Sequence, residues 1–177
     1  MSHTATLSQY PIFFVSNSLL RKLKGFIITP TQLQHALYLI GETYYIERKE
    51  TYPFHELFVA GPRGPVMTPV ALHLLASARR PVTHYLSLDG RNFFVSAKDA
   101  YMNALILRVA RVVAHMSEED LEKAVKSKGS GWARALEAES STIEYEHFPK
   151  KSLLSKLDTK LRKESAPLQL RRTKVTA

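Results

Sequence analysis

The chain has no cysteine, one tryptophan and fewer acids than bases. Without cysteine there is no disulfide framework, no thiolate metal site and no cysteine nucleophile. Apolar runs are short as well, and none approaches the ~18 residues that span a bilayer. The apolar segment at 10–15 follows no basic stretch, so it does not read as a signal peptide. A soluble, cytoplasmic protein without a membrane role is therefore expected. Catalytic motifs are also missing. No two of the seven histidines stand four apart, and there is no HExxH, GxSxG or well-placed SxxK. No catalytic residue, metal or cofactor is expected.

What remains is ordinary for a folded chain. Its 177 residues are 45% apolar and 23% charged, enough for one domain with a real core. The net charge of +9 is uneven: residues 149–177 hold nine bases and two acids, whereas residues 1–148 hold sixteen bases and fourteen acids. A nearly neutral body thus precedes a basic tail, and the expected organisation is an extension (1–14), a helical domain (15–148) and the tail (149–177). The expected fold is mainly α, a compact helical domain with a small β-hairpin.

Local signals place the elements. Thr29-Pro30-Thr31-Gln32 combines an N-cap, a proline at the first helical position and a capping-box glutamine. Leu33, Leu37, Ile40 and Tyr44 follow at helical spacing. An earlier helix is expected over 15–26, with Asn17 or Ser18 as its cap. Gly61-Pro62-Arg63-Gly64-Pro65-Val66 reads as a fixed irregular loop, after a short strand at 56–59. Its prolines remove the amide donors that a phosphate cradle needs, which favours a structural corner. Thr68-Pro69 reads as the next cap, opening a helix with Leu72, Leu74 and Leu75. A hairpin is expected at 85–95 around Asp89-Gly90. The helix over 97–115 is apolar almost all round and is expected at the domain centre. Ser117 and Ser130 open two further helices, and Glu118, Glu119 and Asp120 suit the first turn of the former.

Two features invite a functional reading. Trp132 is a core anchor or a partner-binding anchor. In the tail, Leu153, Leu154, Leu157 and Leu161 share one helical face opposite Lys156, Lys160 and Lys163. That segment reads as a solvated extension, as a helix that docks on a protein, or as a nucleic-acid contact. Beyond Ser165-Ala166-Pro167 disorder is expected.

Three segments, in order, resemble one family. Leu33-Gln34-His35-Ala36-Leu37-Tyr38 is similar to the "LQKLLY" helix of Panacea-domain proteins, the SocA-like antitoxins, with His35 where that family has lysine. Gly64-Pro65-Val66 with Pro69 resembles its "GPV-x-P" corner. Ser117-Glu118-Glu119-Asp120-Leu121, leading to Gly129-Ser130-Gly131-Trp132, resembles its late helix and closing Trp turn. The resemblance implies a non-catalytic helical domain that neutralises a partner toxin by contact or presents it to a protease. Some such proteins are carried by phages or other mobile elements. It further implies that Leu33, Tyr38, Gly64, Pro65, Val66, Pro69 and Trp132 hold the fold, with Trp132 plugging the core. The expected partner is a protein with an acidic surface. Leu153, Leu157 and Leu161 are expected as anchors, and Lys156, Lys160 and Arg162 as steering charges. The alternative is a nucleic-acid-binding regulator that uses the tail.

Overall fold

The structure is a computed structural model that describes residues 10–49, 51–77 and 80–172, with side chains as far as Glu164. Among these residues there are seven α-helices and one three-stranded antiparallel sheet, a mainly α fold as expected. In chain order they are α1 (Ile12–Lys22), α2 (Pro30–Glu47), β1 (Phe58–Gly61), β2 (Gly64–Val66), α3 (Thr68–His73), α4 (Ala100–Ala114), α5 (Glu118–Val125), α6 (Gly131–Glu137), β3 (Thr142–Ile143) and α7 (Leu153–Arg172).

The sequence-local caps form. Thr29 and Gln32 close the capping box of α2, while Ser117 and Ser130 accept the amides of Asp120 and Ala133. Each satisfies a donor that the first helical turn leaves unpaired. Other starts move. Asp99 caps α4, which begins later than 97. Met67, not Thr68, is the N-cap of α3, and it gives no side-chain cap. That helix is short, and Leu72 and Leu75 point outward, 67% and 70% exposed.

Helix α2 occupies the centre. Every residue from Gln32 to Tyr44 is buried, and α1, α3, α4, α5, α7 and β2 pack around it. This corrects the expectation that the helix over 97–115 is central. That helix, α4, buries one face but leaves Leu107 exposed. Apolarity misleads here because α2 carries Gln34, His35, Glu42 and Thr43, all enclosed. Buried polar groups are tolerated when they are hydrogen-bonded. Gln34 clamps the backbone of Met67 from both sides, accepting its N–H at 2.7 Å and donating to its carbonyl at 3.2 Å.

Helix α1 works the same way. It starts at Ile12, already in the core, so the domain boundary expected at residue 15 falls inside the helix. Asn17 and Ser18 are not caps. Asn17 accepts the Leu86 amide at 2.7 Å and donates to the carbonyls of Leu86 and Phe93, while Ser18 accepts the Val95 amide at 2.9 Å. These bonds explain the missing hairpin at 85–95. The Asp89-Gly90 turn forms, with both residues at positive φ and Leu88 bridged to Arg91. Its arms hydrogen-bond to α1 side chains and so do not zip into strands.

The hairpin lies instead at the Gly-Pro segment. β1 pairs with β2 from Val59↔Val66 to Gly61↔Gly64, leaving Pro62-Arg63 as the turn, and β3 pairs on the other side of β1. Pro65 is compatible with a strand because β2 is an edge, where an N–H is not needed. In the tail, the helix does not stop at Ser165-Ala166-Pro167; its backbone runs on to Arg172. Residues 173–177, the rest of the segment expected to be disordered, lie outside the described residues.

Candidate functional site

The hairpin tip is held by three donors from three helices. Trp132 Nε1 on α6 donates to the Gly61 carbonyl at 2.8 Å. Lys126 Nζ, just past α5, donates to the Pro62 carbonyl at 3.0 Å. His35 Nε2 on α2 donates to the Arg63 carbonyl at 2.9 Å. Prolines take amide donors from this turn, and its carbonyls take up side-chain donors instead. Arg63 itself reaches Glu118 and Glu122 on α5, at 2.6 and 2.9 Å. Those bonds raise the Arg63 pKa. Partial burial opposes ionisation of the two glutamates, but their bonds to Thr29, Arg63 and Lys126 hold them below the usual carboxylate range.

Gly64 is required at this corner. Its φ is +119°, and an added Cβ would stand 2.6 Å from His35 Nε2. Burial lowers the His35 pKa. Its Nε2 donates to a carbonyl, so Nδ1 is the unprotonated nitrogen; among the described residues it is buried without a hydrogen-bond partner.

A second buried cluster fastens α7. Glu42 is wholly enclosed. Its Oε1 accepts the Leu153 amide at the start of α7 and its Oε2 accepts the Tyr38 hydroxyl, both at 2.7 Å. Tyr38 in turn accepts the Gly131 amide at 3.1 Å, so one chain of bonds ties α6, α2 and α7. A carboxylate at a helix N-terminus is favourably placed. Burial nonetheless raises the Glu42 pKa, against these two bonds and the fields of Lys156 and Arg134.

The residues singled out in the sequence therefore fall into two groups. Leu33, Tyr38, Gly64 and Pro65 are buried around the corner, while Val66 and Pro69 are half-buried beside it. Trp132 is only half-buried; it latches the hairpin rather than plugging the core, and Lys126 lies 5.1 Å over its ring. The tail anchors need correction. Leu153 and Leu157 are each 8% exposed and Leu154 is fully buried, because α7 packs them against α2 and α4. Leu161 is half-buried against the same core. A partner cannot use Leu153 or Leu157 while the helix sits there. Of the expected steering charges, Lys156 is exposed, Arg162 pairs with Asp158 at 3.2 Å, and Lys160 faces Glu164 at 3.9 Å.

An open surface elsewhere escaped the sequence reading. A groove of about 940 Å³ lies between residues 20–28 and 81–92. Leu20, Leu23, Ile28 and Val82 line it, and Phe26 and Ile27 stand exposed at 53% and 79%. The Ile28 carbonyl accepts the Val82 amide at 2.7 Å and joins the two segments. A smaller hollow of about 230 Å³ is lined by Pro30, His35, Pro65, Leu74 and Leu75. Leu20, Leu23 and Phe26 fit one face of the helix expected over 15–26, but α1 ends at Lys22, Gly25 turns the chain at positive φ and Phe26 stands exposed.

No protein-family model matches the chain, and no curated protein or solved structure matches it either. Among the described residues, no three His, Asp or Glu side chains form a group that could hold a metal, and no helix is long and apolar enough to cross a membrane.

Proposed function

We propose that the protein is a non-catalytic, cytoplasmic binding module, an antitoxin or inhibitor that neutralises a partner protein by direct contact. The observation that carries this reading is the open groove in which Phe26 and Ile27 stand exposed beside Leu20, Leu23, Ile28 and Val82. Large exposed apolar groups gathered on one surface mark interaction sites. The ordered Panacea-like motifs support the antitoxin form of the reading. In this proposal the body, not the tail leucines, makes the contact.

The test uses the intact chain as bait in lysate of its source cells, followed by reconstitution with the purified captured protein. The expected result is a stoichiometric complex that survives high salt and abolishes the partner's activity or toxicity. Recovery of nucleic acid alone, lost at high salt, would overturn it.

A second reading rests on a separate observation. Lys150, Lys151, Lys156, Lys160 and Lys163 are all exposed in and before α7. A nucleic-acid contact there would show an affinity that falls steeply with salt and flattens when these lysines are replaced.

A further inference from the structure

The first 148 residues are nearly neutral, yet their charge is not evenly placed. Residues 20–28 and 80–92 contain five of the sixteen bases and one of the fourteen acids. Without these two segments the rest of the body carries more acid than base. The groove is lined mainly by residues of these two segments, and Lys24 is the one Lys or Arg among its lining residues. Lys22, Lys24, Arg80 and Arg91 are exposed and enter no ion pair among the described residues. Elsewhere in the body Arg63, Arg108, Lys123 and Lys126 bind carboxylates, whereas Lys49, Lys98, Arg111 and Lys128 are exposed and enter no ion pair among the described residues. What sets the groove apart is that apolar lining and the unpaired Lys24 coincide there, within two segments of net positive charge.

Resting on the protein-binding reading, we propose that this groove takes an acidic peptide segment of the partner, with large apolar side chains seated beside Phe26 and Ile27. Its carboxylates face Lys24 and the neighbouring Lys22, Arg80 and Arg91. At about 940 Å³ the groove lies near the upper end of ligand-pocket sizes, room for several peptide residues. Complementary charge speeds encounter and sets the register, and the apolar anchors hold the complex. A single-stranded nucleic acid fits less well. Stacking needs exposed aromatic faces, and the Tyr85 ring is already taken up edge-on by Phe94 at 5.1 Å. Phe26 is left as the one exposed Phe, Tyr or Trp among the lining residues, beside the smaller rings of His73 and His84.

The test pans the intact protein against a random displayed library of peptides about 12 residues long. The enriched sequence is then made as a fluorescent peptide and titrated on wild type, Lys24→Glu, Ile27→Asp and the α7 control Lys156→Glu. Ile27 and Lys24 are exposed, so unchanged thermal midpoints are expected. The proposal predicts Asp or Glu interleaved with Leu, Ile or Phe in the enriched peptides. It predicts roughly tenfold weaker binding by each groove variant and a change within about twofold for the control. No enrichment, a neutral or basic consensus, or equal binding by the groove variants would overturn it. Tighter binding of an oligothymidylate probe that Lys24→Glu abolishes would overturn it in favour of nucleic acid. A captured partner that both groove variants still bind and inhibit would also overturn it, while leaving the protein-binding reading intact.

Discussion

The corner around the hairpin and the groove around residues 26–28 spend their side chains in opposite ways. At the corner, the carbonyls of Gly61, Pro62 and Arg63 each accept a bond from a different helix, and Arg63 is paired twice. At the groove, Phe26 and Ile27 face solvent and Lys24 enters no ion pair among the described residues. Side chains already committed within the fold have little left for a partner; exposed and uncommitted ones do. The motif-rich region is therefore architecture, and the motif-poor region is the better candidate for contact.

The sharpest way to break this contrast is at Glu42. Glu42→Ala removes the acceptor for both Tyr38 and Leu153 in a closed site, and about 4 kcal/mol of stability should be lost in urea titration. Glu42→Gln, which keeps the shape, should cost less. Gly64→Ala comes next, at about 3 kcal/mol, from the positive φ and the approach of His35. In a His35→Ala background the larger steric part should go, leaving the 3.3 Å approach of Val125 Cγ2, so the two changes will not add. Asn17→Ala should cost about 2 kcal/mol, since it leaves three backbone groups of residues 86 and 93 without partners.

Acid should act on the same frame. Burial lowers the His35 pKa from its ordinary 6.5, so below that value the unfolded chain takes up the proton that the folded one refuses. Stability should therefore fall as pH drops from 6.5 toward the folded value. Denaturation midpoints of His35→Gln should lack that slope. Glu42 acts in the opposite sense: its raised pKa makes stability fall as pH rises above 4.5 toward its folded value. The smallest effect belongs to the groove. Ile27→Asp should shift stability by no more than about 0.5 kcal/mol, because the side chain is already exposed.

Legibility in the sequence followed the range of the interaction. Thr29, Ser117, Ser130 and the Asp89-Gly90 turn were readable because each bond closes within three or four residues. Asn17 and Ser18 misled because a cap and a long-range clamp use the same side-chain chemistry, and only the fold separates them. Helix α2 looked less central than α4 because its polar groups bond to segments remote in sequence. The tail leucines were correctly placed on one face, but periodicity does not say whether that face meets this chain or another. The groove was masked because Leu20, Leu23 and Phe26 share a helical period that the chain abandons after Lys22, and because its other wall is a loop roughly sixty residues further on.

Native-state hydrogen exchange tests the central claim most directly. The amides of Met67, Leu86, Val95 and Leu153 lie outside helix and strand ladders or at a helix start, and each is accepted by the side chain of Gln34, Asn17, Ser18 or Glu42. The account predicts that these four exchange only with global unfolding, while Ile27 and Asn92 exchange at loop rates. If the four exchange as fast as Ile27, the side-chain clamps do not hold the fold and the contrast between corner and groove fails.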